Sequence, residues 1–209
     1  MKEKFLSGLK WFFRSFIWLG ILLLGLDILT KQLVMNSHLI PDNKASHISL
    51  LNGFVYISYV RNPNAAFGFG FGGLTSRILY LVFATLISAG IITYLILKRK
   101  KTKLFIRAAL VMVVTGAVGN MIDRIFYAQT DYCVVDWIDF HWFWPFVFNI
   151  ADCCVVIAAF MLIIYVIVLE VKDVIERRKA EGVQVKQLSK TEKERLEQEA
   201  KEQEENKLH

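Results

Sequence analysis

Four long apolar stretches constrain this chain of 209 residues more than any other feature. They cover about residues 15–36, 76–97, 104–123 and 146–169. At about 1.5 Å per helical residue, each is long enough to cross a hydrocarbon layer of about 30 Å. A hydrophobic content of 55% agrees with a chain that is largely surrounded by lipid. The sequence therefore predicts an all-α membrane protein with four transmembrane helices.

Basic residues are distributed unevenly among the segments that flank these spans. Residues 1–14 contain four Lys and Arg, residues 98–103 contain five, and residues 170–209 contain ten, whereas residues 37–75 contain two and residues 124–145 contain one. Because segments rich in Lys and Arg stay in the cytoplasm, both termini and the middle loop are predicted to be cytoplasmic. The net charge of +6 is thus explained by membrane topology rather than by nucleic-acid binding.

The same boundaries predict three parts. Residues 1–14 form a cytoplasmic amphipathic N-terminus at the membrane surface. Residues 15–169 form the membrane domain, whose first apolar run lacks a small-residue cleavage site and is interpreted as a retained span rather than a signal peptide. Residues 170–209, with charges of both signs, form a charged cytoplasmic tail that extends the last helix and then frays.

The two loops on the outer side differ in composition. In residues 37–75, two short apolar runs flank Asn52-Gly53, a dipeptide typical of tight hairpins, so we expect a small extracytoplasmic β element between the first two spans. Residues 124–145 are rich in aromatic side chains that favour the headgroup level of a bilayer.

Polar side chains interrupt the outer ends of the third and fourth spans, where they are costly in lipid and therefore indicate function. Helical spacing places each group on one face, and antiparallel spans bring both groups to the same side of the membrane. The residues are Gly116, Gly119, Asn120 and Asp123 in the third span, and Asn149 and Asp152 in the fourth.

If these faces meet, Asp123 and Asp152 would share one proton, because two nearby carboxylates in a dry site cannot both ionise. Such a pair can take a proton from water and give one to an amide, and neighbouring asparagines can stabilise the oxyanion. The pattern predicts hydrolysis of an amide near the outer membrane surface. The alternative is that both aspartates cap helix ends or pair with Arg124.

Other polar residues have both a structural and a functional interpretation. Asp27 and Lys31, one helical turn apart, fit a structural ion pair or a direct role. Asn62, in the loop 61–70, either reaches the site or belongs to a simple turn before an aromatic patch. Arg124 fits an interfacial cation. A further pair, Asp136 and Asp139, is more typical of loop ordering or of pairing with Arg124 than of catalysis.

The sequence gives no indication of a metal site, a disulfide or a nucleotide. The cysteines lack the spacing of zinc ligands and are interpreted as small apolar residues, and the first three histidines are scattered. These residues are Cys133, Cys153 and Cys154, and His38, His47 and His141. No P-loop or nucleic-acid motif is present.

Five motifs in a fixed order resemble lipoprotein signal peptidase, the type II signal peptidase of bacteria. They are Asp27 with Lys31 in the first span, RNxxAAFG at 61–68, GNMIDR at 119–124, VVDWIDF at 134–140 and FNIAD at 148–152. The resemblance covers about residues 15–169, and it departs from the usual N-x-G-A-A-F pattern because Pro63 and Asn64 follow Asn62.

This resemblance implies a multi-pass aspartyl endopeptidase of the bacterial cytoplasmic (inner) membrane with its site near the extracytoplasmic face. It implies cleavage of diacylglyceryl-modified prolipoproteins before the lipidated cysteine, inhibition by globomycin, and no metal or organic cofactor. The implied catalytic residues are Asp123 and Asp152, although the sequence leaves open which is the base. The implied surrounding residues are Asn62, Asn120, Arg124, Asn149 and Ala151, with Asp27 and Lys31 in support.

Two other classes of membrane protein are compatible with intramembrane carboxylates. A small transporter or proton-coupled channel would distribute polar residues through the full depth of the bilayer. The inner halves of these spans are almost free of ionisable groups, which favours a site at the surface. A structural scaffold would keep its function when Asp123 is replaced by asparagine.

Overall fold

The computed structural model describes residues 2–37, 47–63, 73–98, 100–140, 142 and 144–205. In this part of the chain the helices are α1 (Lys2–Ser15), α2 (Ile17–Met35), α3 (Gly73–Lys98), α4 (Leu104–Phe126) and α5 (Ile150–Glu205). Four helical segments are long and apolar enough to cross a membrane, namely Ile17–Met35, Gly73–Lys98, Leu104–Phe126 and Ile150–Gly182. The predicted all-α membrane fold is therefore confirmed.

The start of the last span differs from its prediction. The prediction began at 146, but Val147–Phe148 is a short strand and α5 begins at Ile150. Arg124 was predicted to open a loop, whereas α4 continues to Phe126 and includes it. Both differences arise because polar residues at these two ends are held by tertiary contacts described below, which hydropathy does not register.

α4 is the central helix of the membrane unit, since it packs against both α2 and α3 and shares a buried cluster with α5. This cluster contains Ala109 and Met112 from α4 and Cys154 and Ala158 from α5. A Cβ atom at Gly116 would collide with the carbonyl oxygen of Ala151 and lie 2.6 Å from Val155. Small residues thus let the two backbones approach closely.

The chain segments that follow α2 and α4 form a four-stranded antiparallel sheet. Its strands are β1 (His47–Leu50), β2 (Val55–Asn62), β3 (Val134–Asp139) and β4 (Val147–Phe148), in the order β1-β2-β3-β4. The predicted hairpin at Asn52-Gly53 is confirmed, with φ values of 55° and 84°. The prediction missed β3, because its pairing with β2 joins residues that are more than seventy positions apart, such as Val60 and Asp136. It also missed β4, which has only two residues.

The chain divides into two compact units, Met1–Leu162 and Ile163–His209. The second unit is helical through Glu205. Pairs of opposite charge four residues apart support it, with 3.7 Å between Lys190 Nζ and Glu194 Oε1 and 3.4 Å between Arg195 Nε and Glu199 Oε1. Such exposed pairs each contribute only about 0.3–0.5 kcal/mol.

Candidate active site

Asn149 and Asp152 form a reciprocal cap at the N-terminus of α5. The backbone N–H of Asp152 donates to Asn149 Oδ1 at 2.9 Å, and the backbone N–H of Asn149 donates to Asp152 Oδ2 at 3.3 Å. This is the geometry of a capping box. Asn149 is fully buried, whereas Asp152 is partly exposed. The positive end of the helix dipole lies beside the Asp152 carboxylate and stabilises its negative charge.

A second group, the ion-pair cluster, consists of Asp27, Lys31 and Asp123. Lys31 Nζ lies 2.7 Å from Asp27 Oδ2 and 2.9 Å from Asp123 Oδ2, and all three side chains are at most 1% exposed. The predicted ion pair between Asp27 and Lys31 is thus confirmed, and Asp123 is a third member that the prediction did not include. The cluster joins α2 to α4 through one ammonium group held between two carboxylates.

Backbone groups from two other elements bind to the ion-pair cluster. The N–H of Ala151 donates to Asp27 Oδ1 at 2.9 Å, which ties the start of α5 to α2. The N–H of Val135 donates to Asp123 Oδ2 at 3.1 Å, which ties β3 to α4. The cluster therefore fixes the positions of both segments that carry the neighbouring residues Asp136 and Asp152.

Asn120 connects the ion-pair cluster to Asp152. Its Nδ2 donates to Asp152 Oδ1 at 2.7 Å, and its Oδ1 accepts from Lys31 Nζ at 3.2 Å and from Asn149 Nδ2 at 3.1 Å. A carboxamide suits this position because it donates on one side and accepts on the other. Asn120 thus orients a carboxylate oxygen of Asp152.

Asp136 lies on β3 between two asparagine side chains. Its Oδ1 accepts from Asn149 Nδ2 at 2.7 Å and its Oδ2 accepts from Asn62 Nδ2 at 2.9 Å. Burial raises the pKa of the Asp136 carboxyl above its ordinary value of 3.8, and the negative charge of Asp152 raises it further. The amide groups of Asn62 and Asn149 oppose this shift in pKa, but burial has the larger effect.

The catalytic pairing of Asp123 with Asp152 stays a prediction, and the contacts of the described residues suggest another partner for Asp152. Among the contacts of the described residues, Asp123 binds Lys31 and the backbone of Val135, and the path from it to Asp152 passes through Lys31 and Asn120. Asp136, by contrast, is separated from Asp152 by the single residue Asn149. We refer to Asp136 and Asp152 as the carboxyl pair. The polar faces of α4 and α5 meet as predicted. Asn120 binds Asp152 there, while Asp123 binds Lys31.

Arg124 is held inside the protein by contacts with α3 and α4. Its Nη1 donates to the carbonyl of Asn120 at 3.0 Å, and its guanidinium lies 3.9 Å from the centre of the Tyr80 ring. The hydrogen bonds described for Asp136 come from asparagines rather than from this arginine. Arg124 is nearly fully buried, so it is not an exposed interfacial cation.

Tyr80 is the site residue that the sequence analysis missed. It lies in the first turns of α3 beneath Arg124, its hydroxyl interacts with the side chain of Asn120, and it is close enough to Asp152 to respond to that charge. Arg77, three residues earlier, donates from Nε to the carbonyl of Arg124 at 2.7 Å. An arginine and a tyrosine three apart at the start of an apolar span share a helical face, which could have indicated this site.

The remaining predicted residues are distributed as follows. Asp139 Oδ2 accepts from Ser58 Oγ at 3.0 Å, which agrees with an ordering role in the sheet. Ala151 is buried beside Gly119, whose Cβ would lie 2.9 Å from that of Ala151. Asn64 and the rest of the loop beyond Pro63 lie outside the described residues, as do His38 and His141.

The described residues contain no group of three or more His, Cys, Asp or Glu side chains that could hold a metal ion. The cysteines among them, Cys133, Cys153 and Cys154, are not joined by a disulfide. The described side chains of the site are carboxyl, amide, lysine, arginine and tyrosine groups.

Comparisons with known proteins show the family to which this chain belongs. The family model described as Signal peptidase (SPase) II matches residues 19–168. Lipoprotein signal peptidase of Clostridioides difficile (strain 630) is 35% identical over 158 residues, covering 76% of this chain and 98% of that protein. Lipoprotein signal peptidase of Syntrophus aciditrophicus (strain SB) is 36% identical over 149 residues, covering 69% and 86%.

The fold is also similar to that of a solved bacterial membrane enzyme, determined by the in meso method at 2.3 Å resolution. That comparison gives a TM-score of 0.60 and 26% identity over 72% of this chain and 86% of the solved chain. A second such structure at 1.9 Å resolution gives a TM-score of 0.59 and 27% identity over 72% and 90%. With the family model and relatives above 30% identity in agreement, this multi-pass membrane protein belongs to the lipoprotein signal peptidase family, the type II signal peptidases.

Proposed function

We propose that this protein is an aspartyl endopeptidase that removes signal peptides from diacylglyceryl-modified prolipoproteins, cutting before the lipidated cysteine, with Asp136 and Asp152 as its catalytic residues. The observation that carries this assignment is the position of Asn149. Its side chain binds Asp136 at 2.7 Å, and its backbone and side chain bind Asp152 at 3.3 and 2.9 Å. One residue thus holds two carboxyl groups side by side.

The electrostatic surroundings favour Asp136 over Asp123 as the partner of Asp152. Asp123 has the ammonium group of Lys31 2.9 Å away, and this shared cation ties it to Asp27. Within the described part of the chain, Asp136 has amide donors rather than a cation at contact distance. A buried carboxyl without a contacting cation keeps its proton at higher pH, as general acid catalysis near neutral pH requires.

The reaction follows from the difference between the two members of the carboxyl pair. Asp152 is the more exposed and is stabilised as an anion, so it takes a proton from a water molecule. The water oxygen attacks the scissile carbonyl carbon while Asp136 donates its proton to the carbonyl oxygen. Collapse of the tetrahedral intermediate breaks the C–N bond as the proton held by Asp152 passes to the leaving amine. One hydroxyl of the intermediate returns its proton to Asp136, which restores both carboxyl groups to their starting states. No metal or organic cofactor takes part in these steps.

The surrounding residues position this pair. Asn120 and Asn149 orient the carboxylates, and Asn62 binds Asp136 from β2. The ion-pair cluster holds β3 and α5 in register through Val135 and Ala151. Arg124, stacked on Tyr80, holds the carbonyl of Asn120. In this scheme Asp27, Lys31 and Asp123 are positioning residues rather than catalytic ones.

The substrate enters from the bilayer, since its diacylglyceryl group keeps it in membrane lipid. We place the protein in the bacterial cytoplasmic membrane, with both termini in the cytoplasm and the site near the opposite face, as the distribution of Lys and Arg indicates. Globomycin and similar cyclic peptides would inhibit it by occupying the substrate position.

Labelling of single cysteines at positions 49 and 101, in a chain whose natural cysteines are replaced, tests this orientation. We expect a membrane-impermeant reagent added outside the cell to label position 49 and not position 101. Labelling of both positions from the same side would overturn the proposed topology.

The deciding experiment for catalysis is cleavage of a purified diacylglyceryl-modified prolipoprotein by the Asp136→Asn and Asp152→Asn variants. General acid–base catalysis typically contributes 10²–10⁴-fold, so each change should lower kcat by roughly 10³-fold. The thermal unfolding temperature serves to show that each variant is folded. Mass spectrometry of the product checks that the new N-terminus is the lipidated cysteine.

Two aspartates serve as matched controls. Asp139→Asn removes a buried carboxyl that binds Ser58, and it should keep most of the activity. Asp123→Asn should lower the unfolding temperature and leave measurable turnover in the folded fraction. If folded Asp123→Asn is as inactive as Asp152→Asn while Asp136→Asn is active, the carboxyl pair is wrongly assigned.

A further inference from the structure

A groove lies at the end of the membrane bundle opposite the carboxylates. It has a volume of about 680 Å³ and is formed by the N-terminal parts of α2 and α4, the C-terminal part of α3 and the end of α1. Most of its lining is apolar, including Trp11, Ile21, Ile92, Ile96, Val111 and Val114. Several of these side chains are about half exposed, so the groove opens to the surrounding hydrocarbon.

The polar end of the groove carries a fixed positive charge. Arg107 lines it, and its guanidinium donates to the carbonyl of Arg14 at 2.8 Å and to that of Thr102 at 3.2 Å. These two bonds to carbonyl oxygens hold the guanidinium in place. Arg14, Lys98 and Lys103 lie exposed in the same segments.

Acidic residues are missing from the segments that form this groove. Residues 4–26 and 73–122 contain no Asp or Glu. The groove therefore combines an apolar channel with Arg107 in its lining, and the adjoining chain segments carry further Lys and Arg. This combination suits a ligand with a hydrocarbon chain and an anionic head.

We propose that this groove binds one anionic phospholipid of the membrane, with an acyl chain between α2 and α3 and the phosphate at Arg107. Both halves of the ligand then meet matching surfaces. The site is distinct from the carboxyl pair, and it does not depend on the proposed reaction.

A signal peptide fits this groove less well for two reasons. An apolar helix that spans the membrane, about 10 Å wide and about 30 Å long, occupies on the order of 2,000 Å³, which exceeds the groove volume several-fold. The N-terminal region of a signal peptide is also positively charged, so the basic mouth of the groove repels it.

Native mass spectrometry of the purified full-length protein can test the proposal, with phosphatidylglycerol and phosphatidylcholine of identical acyl chains as probes. One basic residue near a lipid headgroup favours an anionic lipid by roughly fivefold. We therefore expect wild-type protein to retain phosphatidylglycerol at least that much better. Arg107→Gln should remove most of this preference, whereas Arg178→Gln, an exposed charge on α5, should keep it.

A second pair of variants tests the apolar part of the groove. Val111→Trp should fill it and lower retention of both lipids, while Val156→Trp, at a side chain of α5 that is 45% exposed and lies outside the groove, should not. If Val111→Trp proves unstable in thermal unfolding, Ile96→Trp at the groove wall replaces it. Equal retention of the two lipids by wild type, or unchanged retention by the groove variants, would overturn the proposal. Displacement of the phospholipid by a synthetic signal peptide would also overturn it, since the groove would then belong to the substrate.

Discussion

Two groups of carboxylates lie at the same end of this bundle, and they differ in what balances their charge. In the ion-pair cluster, Asp27 and Asp123 share the ammonium group of Lys31 at 2.7 and 2.9 Å. In the carboxyl pair, Asp136 and Asp152 are held by the amides of Asn62, Asn120 and Asn149. A carboxylate paired with a buried cation is stable and unreactive, whereas one held by neutral donors can still exchange a proton.

The largest expected effect on stability comes from removing the cation of the ion-pair cluster. Lys31→Met leaves Asp27 and Asp123 buried without a contacting ammonium group. Breaking a buried pair in this way costs about 3–5 kcal/mol, so the unfolding free energy in detergent should fall by that amount. Lys98→Met, at an exposed helix end, is the control and should change it little. A Lys31 variant as stable as wild type would show that the two groups do not differ as described.

A smaller loss of stability is expected when a methyl group is added at Gly119, between the ion-pair cluster and α5. A Cβ at Gly119 would lie 2.8 Å from Asp27 Oδ2 and 2.9 Å from Ala151 Cβ, so Gly119→Ala must displace α5 or the ion-pair cluster. Overpacking of this kind costs about 1–3 kcal/mol. A Cβ at Gly90 would meet no atom within 4 Å, so Gly90→Ala should leave stability unchanged or raise it slightly. Thermal unfolding of both variants provides the comparison, and equal values would contradict the close approach.

The pH dependence of stability separates the two groups further. Burial raises the pKa of Asp136 in the folded protein above the ordinary value of 3.8. Protonated Asp136 therefore contributes its full stabilisation at pH values below the pKa of the unfolded chain. This stabilisation is lost as the pH rises through the pKa of the folded protein. We expect Asp136→Asn to flatten this part of the curve of unfolding temperature against pH. Asp131→Asn, whose side chain is 85% exposed, should keep the wild-type curve. An Asp136 variant with an unchanged curve would contradict the raised pKa.

The smallest expected effect concerns the residue that orients the carboxyl pair from α3. Tyr80→Phe removes the hydroxyl that interacts with Asn120 but keeps the ring beneath Arg124. A single hydrogen bond contributes about 0.5–1.5 kcal/mol, so kcat should fall by roughly twofold to tenfold with little change in KM. Tyr80→Leu also removes the ring beneath Arg124 and should lower kcat further. A change in KM alone would indicate a role in substrate binding instead of positioning.

The sequence predicted the fold more completely than it predicted the site. Four spans, the hairpin at Asn52-Gly53 and the ion pair of Asp27 with Lys31 could be derived because each depends on residues close together in the chain. β3 was missed because its partner β2 is remote in the chain, and β4 was missed because it has only two residues. Tyr80 was missed because the pattern that it forms with Arg77 does not show that their helical face packs against Asn120 and Arg124.

Polarity in an apolar segment marks a residue as important without saying what it touches. Hydropathy predicted the four spans, and the positions of Asp123, Asp136 and Asp152 at or between the ends of the third and fourth spans predicted that these residues lie at one end of the bundle. The packing of α2, α4, α5 and β3 decided that Lys31 binds Asp123 and that Asn149 joins Asp136 to Asp152. The reason is physical: hydrophobicity is summed along a segment, whereas the partner of a buried charge depends on contacts between segments that the sequence keeps far apart.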